Sequence, residues 1–162
     1  MDDKNLVFGH KKPDTDSIAS AISMANLQTN IGNYSESFRL GNVNRETEFA
    51  LKTFSVKQPE FIEKVNENDN VILVDSNEFP QSADGIEKAN IKMIVDHHRL
   101  NLQTENPIYC MVEPVGCTST ILYKLYKQNE VKIVPEMAGL MLSAIVSDTL
   151  LFKSPTSTEQ DM

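Results

Sequence analysis

No stretch of the 162-residue chain approaches the roughly 20 consecutive apolar residues of a membrane span. Its opening, MDDKNLVFGH, is acidic where a signal peptide is basic. Neither a membrane protein nor an exported one is expected, and the reading is cytoplasmic. Cysteine is scarce as well: Cys110 and Cys117 form no CxxC pair and give little reason to expect a disulfide. Cys117 stands just before a helical pattern and is expected to be buried and inert. A basic excess is also missing. The formal net charge is -8 and the sequence pI about 4.8, so the average surface repels polyanions and a general nucleic-acid binder is disfavoured. There is no internal repeat, low-complexity tract or obvious linker, and 40% hydrophobic content in this length supports one domain with its own core. An acidic protein still handles a small anion if it first loads cations, because bound divalent ions become the largest local charges and invert the sign of the site.

Three short apolar runs stand out: Leu6-Val7-Phe8, Val71-Ile72-Leu73-Val74 and Met93-Ile94-Val95. They have strand length and little alternation, which suits strands buried on both faces of a mostly parallel sheet. Each run is followed by residues of metal-ligand type: His10, then Asp75, then Asp96-His97-His98. Parallel strands end on one side of an α/β sheet, so three separate segments are expected to deliver polar side chains to one crevice at the carboxyl ends. Helical spacing runs through Asp16–Thr29, Glu46–Phe54 and Ser119–Lys127, and a fourth helix is expected from Pro135 through Leu140, Met141, Ala144 and Ile145. Strands alternating with helices imply an α/β fold with helices on both faces of the sheet. The segment Asn77–Asn90 reads as a loop mixed with a short helix. The closing Ser157–Met162 reads as a helix start, a Ser/Thr cap followed by acidic residues, and so suggests a piece of a longer protein.

The first polar cluster, His10-Lys11-Lys12-Pro13-Asp14-Thr15-Asp16-Ser17, sets one imidazole and two carboxylates in a strand-to-helix turn stiffened by Pro13. Asp14 and Asp16 read equally well as helix caps, although two carboxylates are redundant for one cap. A lone Asp75 at a strand end reads by itself as a loop or cap residue. Asp96-His97-His98-Arg99 is less easily set aside, because all three histidines of the chain fall in these two clusters. A mixed N/O donor set suits manganese, cobalt, zinc or iron. Asp148 ends an apolar helix, where a negative charge opposes the macrodipole and calls for a cation.

His10-x-x-x-Asp14-x-Asp16, the isolated Asp75, Asp96-His97-His98 and Asp148 resemble the four motifs of the DHH phosphoesterase superfamily, in order and across almost the whole chain. Within it, Arg39-Leu40-Gly41 with Asn44 and Glu46-Thr47, the run Glu113 to Thr118, and Ser147 to Thr156 are similar to family II, manganese-dependent inorganic pyrophosphatases. The resemblance implies a DHH domain hydrolysing pyrophosphate to two phosphates, as a homodimer. It implies two Mn2+ per site, with Co2+ as a substitute and Mg2+ accompanying the substrate. His10 and Asp14 would hold one metal, and Asp16, His97 and Asp148 the other. Asp75 would bridge them, with Asp148 assisting. His98, Asp75 and Asp148 would be catalytic, His98, Lys153 and Arg99 would meet the substrate, and Asp96 would orient a ligand histidine. Adjacent residues in extended backbone point to opposite sides, so His97 and His98 are expected to divide metal and phosphate between them. A water acidified by the metals would attack phosphorus in line.

Two departures bear on this. Ser76 follows Asp75 where many family members carry histidine; a non-histidine there resembles the regulatory branch, whose nucleotide-binding CBS domains are inserted in the DHH domain, yet no such insert lies between Phe54 and Asp75. The family's C-terminal substrate-clamping domain is expected to lie outside residues 1–162. Two other readings stay open: a DHH-type oligoribonuclease or exonuclease, which shares the first and third motifs, and a metal- or nucleotide-binding module without turnover. The runs around Arg39, Gly116 and Lys153 favour the pyrophosphatase.

Overall fold

Along Val71–Val74 the side chains alternate between two cores. Val71 and Leu73 belong to one, Ile72 and Val74 to the other, and all are almost fully buried. An apolar run without polar alternation is what a strand covered on both faces needs. The computed structural model of the chain describes residues 4–162. In chain order its elements are β1 (Asn5–Phe8), α1 (Thr15–Asn30), β2 (Ser35–Arg39), α2 (Arg45–Thr53), β3 (Glu60–Phe61), β4 (Asn70–Val74), β5 (Asn90–Asp96), β6 (Tyr109–Val112), α3 (Thr118–Gln128) and α4 (Pro135–Asp148). The six strands form one parallel sheet in the order β3-β2-β1-β4-β5-β6. The order reverses between β1 and β4, the switch point outside which an open α/β sheet offers a crevice for ligands. The three runs read as strands are β1, β4 and β5, and they lie side by side.

All four α-helices pack into the core that holds Val7, Ile72, Val74 and Val95. On the opposite face Phe8, Val71, Leu73 and Ile94 are covered by the segment that includes Val65, Ala83 and Ile86, with 3-10 turns at Phe79–Gln81 and Ile86–Lys88. Those single turns are the short helix expected within Asn77–Asn90. Helix α1 lies between the sheet and α3 and α4, so it is buried nearly all round, and its small Ala19, Ser20, Ala21 and Ser23 permit close approach on several sides. Tyr126 of α3 is fully buried against it and donates its hydroxyl to the Ser23 carbonyl at 2.7 Å. Burying such side chains contributes roughly 1.5–3 kcal/mol each, before conformational entropy is subtracted. Each expected helix forms within a residue or two of its predicted ends. A register shift between Val71 and Ile72 leaves Lys92 of β5 unpaired and exposed, a bulge that returns Met93 and Val95 to the helical core.

Candidate metal centre

Each polar cluster is delivered by the end of an element. At the end of β1, Gly9 lets α1 approach: a Cβ there would stand 1.9 Å from Ser17 Oγ, which accepts from the His10 amide at 3.2 Å. Asp14 caps α1 by accepting from the Ser17 amide at 2.9 Å while its carboxylate also faces His10. Asp75 leaves β4 in the left-handed region, φ 56°, a conformation that costs on the order of 1 kcal/mol for a non-glycine residue and is held where function requires it. Asp96 ends β5, His97 and His98 occupy the bend beyond it, and Asp148 is the last residue of α4.

Asp75 is the centre of the arrangement. Its Oδ2 lies 3.4 Å from His10 Nε2, which is 3.8 Å from Asp14 Oδ1; this is an outer half, with the Asp14 side chain 47% exposed. Its Oδ1 lies 3.3 Å from His97 Nε2, which is in turn 4.0 Å from Asp16 Oδ2 and 3.9 Å from Asp148 Oδ2; this is an inner half, with Asp16 fully buried. His98 Nδ1 is also within 3.8 Å of Asp75 Oδ1. The sequence-read ligands His10, Asp14, Asp16, Asp75, His97 and Asp148 are thus brought together from the ends of β1, β4, β5 and α4 and the start of α1.

The supports of the inner half are less visible in the sequence. Asp16 accepts from the Thr118 amide at 2.7 Å, the Ser119 amide at 3.0 Å and the Ser119 hydroxyl at 2.8 Å, so the N-terminus of α3 stabilises its charge. Asp75 Oδ1 accepts from the Thr118 hydroxyl at 3.1 Å. His97 Nδ1 lies 2.9 Å from the Val115 carbonyl, which can only accept, so Nδ1 carries the proton and Nε2 faces the carboxylates. Glu46 accepts from Thr15 and, at 2.6 Å, from Ser147, tying together the neighbours of Asp14, Asp16 and Asp148.

Two expectations about the histidine pair are corrected. The rings do not point to opposite sides, because the chain bends at both residues instead of staying extended; their centroids are 4.2 Å apart. And Asp96 holds the ring of His98, not the inward-facing ring of His97, of which it takes only the amide at 2.8 Å: its Oδ1 accepts from His98 Nδ1 at 2.7 Å, while buried Asn77 donates to Oδ2 at 2.7 Å. What differs between the neighbours is the anchor, a backbone carbonyl for His97 and a carboxylate for His98.

Crowding so many carboxylates shifts their titration. Burial, then the nearby Asp16, pushes Asp75 up to about 6. Burial, then Asp16, Asp14 and Asp75, pushes Asp148 up to about 9. Burial opposes a charge on Asp16, but hydrogen bonds from Cys117, Ser119 and Thr118 together with the His97 charge hold it below the usual carboxylate range. Burial also opposes protonation of His97, and Asp75 and Asp16 outweigh it, raising the ring to about 10. The hydrogen bond to Asp96 raises His98. Burial pushes the Cys117 thiol far up, with Asp16 and Asp148 adding to it, so this buried cysteine is inert although it lies beside both.

A cavity of about 490 Å³ opens beside the outer half, lined by His10, Asp75, Ser76, Asn77, His98 and Arg99 among others. Arg99 is exposed, with Nη2 3.8 Å from Glu78. Lys153 is not brought to this cavity; it is exposed beyond Leu150, Leu151 and Phe152, three consecutive left-handed residues that follow the end of α4. The donor set passes a test for divalent cations. Asp75 Oδ2 is a buried carboxylate oxygen with no hydrogen-bond partner, a costly state unless a positive ion or proton faces it. Among the described residues Asp75 forms one group of three potential ligands with His10 and Asp14 and another with His97 and His98, and Asp16, Cys117 and Asp148 form a third, each with its donor atoms within 4.8 Å of one another.

A parallel α/β domain with such a cluster at its switch point offers donor groups of the kind that suit divalent cations. The chain belongs to the DHH family, whose N-terminal domain matches residues 4–145. A probable manganese-dependent inorganic pyrophosphatase from an Exiguobacterium species is 59% identical over 97% of this chain and 52% of its own length. One from Oceanobacillus iheyensis is 53% identical over 98% and 52%. The crystal structure of a putative family II inorganic pyrophosphatase from Methanococcus jannaschii superposes with TM-score 0.89 at 44% identity, covering 97% of this chain and 52% of that one. An exopolyphosphatase-related protein from Bacteroides fragilis, at 16% identity and TM-score 0.75, shares the fold. The chain spans about half the length of the curated relatives it matches.

Proposed function

We propose that this chain is the metal-binding half of a manganese-dependent enzyme that hydrolyses inorganic pyrophosphate to two phosphates. The observation that carries the reading is Asp75, a buried carboxylate with one oxygen beside His10, whose ring also faces Asp14, and the other beside His97, whose ring also faces Asp16 and Asp148. The relatives' names supply the substrate. His10 and Asp14 would hold one cation, Asp16, His97 and Asp148 would hold the second, and Asp75 would serve both. Imidazole among the ligands favours Mn2+ or Co2+ over Mg2+, which accompanies the substrate. Such cations supply charge neutralisation and the acidification of water.

The chain's own residues do the rest. His98, anchored through Nδ1 by Asp96, has Nε2 left to meet a phosphate oxygen. Asn77 fixes Asp96 and, by accepting from the Asn101 amide at 2.6 Å, the loop that carries Arg99. Arg99 is the cation on the cavity wall, and it already faces Glu78. In-line phosphoryl transfer needs more positive charge and a site closed to bulk water. A second domain, beyond the half of the relatives that this chain spans, supplies that clamp, and the chain alone turns over poorly. The reading includes a cytoplasmic homodimer with no nucleic-acid partner; among the described residues no helix is long and apolar enough to cross a membrane.

A coupled phosphate-release assay with Mn2+, run on pyrophosphate and on a dinucleotide, tests the substrate. Slow but Mn2+-dependent release from pyrophosphate alone is expected. Preferential cleavage of the dinucleotide would move the chain to the nuclease branch, and release at the rate of an intact two-domain relative would remove the need for a clamp.

A further inference from the structure

Asp161 is 5% exposed, and in the fold its carboxylate reaches directly into the support of the inner half. It ends the 3-10 turn Glu159–Asp161, whose cap is Thr158. Capping explains the bonds from the Thr158 amide at 2.7 Å and hydroxyl at 2.8 Å. It does not explain the others. The Gly116 amide donates to both oxygens, at 3.1 and 3.0 Å, and the Thr120 hydroxyl donates at 2.7 Å. An ionised acceptor taking several neutral donors makes charge-assisted bonds, about twice as strong as neutral ones. The contact is also tight: a Cβ on Gly116 would meet Asp161 Oδ2 at 2.9 Å and Thr149 Cγ2, in the residue after Asp148, at 2.8 Å.

The bonds to Gly116 and Thr120 bracket the residues that organise the inner half. Between them stand Thr118 and Ser119, whose amides and hydroxyls hold Asp16 and Asp75, and directly before Gly116 stands Val115, whose carbonyl orients His97. The outer pair, His10 and Asp14, takes its order from β1 and the cap of α1, and is linked to this loop only through the shared Asp75, which Thr118 bonds. We propose that Asp161 is a positioning residue for the inner half: by pinning the Gly116 loop it sets the carbonyl and amides that aim His97 and Asp16, and so raises cation affinity there and not at the outer pair. The inference rests on the metal-centre reading above.

Calorimetric titration of the intact chain with Mn2+ tests it. Asp161→Asn keeps the shape but replaces one acceptor with a donor facing N–H groups. It is expected to weaken one of two Mn2+ sites about tenfold, in the range for lost outer-shell support, while the other is unchanged. In a His10→Ala background, where the remaining binding reports the inner half, the loss persists; in a His97→Ala background it disappears. Thr120→Val deletes a single bond to Asp161 and gives a smaller loss of the same pattern, which keeps the test valid should Asp161→Asn unfold the chain. A merely structural role lowers the melting temperature and moves both sites alike, and that result, or no change at either site, overturns the proposal. A wild-type chain that takes up no Mn2+ overturns the metal reading beneath it, an outcome recognisable without any Asp161 variant.

Discussion

The two halves of the metal centre are built differently. In the outer half His10 and Asp14 sit in one turn, four residues apart in sequence and partly open to solvent, and the cap of α1 that orders Asp14 would form without any ligand. In the inner half Asp16, His97 and Asp148 come from three elements, and a separate loop, Val115–Ser119, orients Asp16 and His97 with backbone groups. Local sequence suffices to build the first; only the completed fold builds the second. The lesson is that donor type is written at strand ends, whereas preorganisation is supplied by neighbours that carry no metal-ligand signature.

The largest effect is expected where the halves meet. Asp75→Asn removes the carboxylate common to both, and Mn2+ titration should show the coupled pair lost, by more than the roughly 100-fold upper range of outer-shell changes. Retention of both ions would mean that the halves are independent. A middle effect separates the histidines. His97→Ala should lose inner-half metal, whereas His98→Ala should keep metal and bind phosphate more weakly, read by competition titration with phosphate; equal metal loss in both would make His98 a ligand too.

The smallest effect is on stability. Asp75 and Asp148 have folded pKa values raised to about 6 and about 9, and His97 is raised to about 10. Groups raised on folding contribute stability that is fully present below their unfolded pKa and lost as pH rises through the folded value. The metal-free chain should therefore melt lower at about pH 9 than at about pH 6, by a few degrees, at roughly 2–4 °C per kcal/mol for a chain of this size. Excess Mn2+ should flatten the difference, since cations then replace the protons. A metal-free melting temperature that rises over this window would mean that the inner carboxylates do not repel one another.

The strands legible in the sequence, β1, β4 and β5, are the ones buried on both faces, where each residue must be apolar. Strands β2, Ser35-Glu36-Ser37-Phe38-Arg39, and β3, two exposed residues, escaped because they approach or form the sheet edge and carry polar side chains. The opposite edge, β6, exposes Tyr109 and Cys110 and has no long apolar run. In the site, the imidazoles and carboxylates could be read from residue type and position. Val115 could not, because a backbone carbonyl leaves no mark in a sequence, and Thr118 and Ser119 look like any helix start. Asn77 lay hidden in a polar loop, and Asp161 had the pattern of an acidic residue behind a Ser/Thr cap, which it is, with its second set of bonds visible only once Gly116 is beside it.

Anomalous diffraction from crystals of the chain grown with Mn2+, recorded at the manganese edge, tests the bridge most directly. Two peaks are expected on either side of the Asp75 carboxylate, one beside His10 and Asp14 and the other beside Asp16, His97 and Asp148. A single peak, or two peaks that do not share Asp75, would contradict the account.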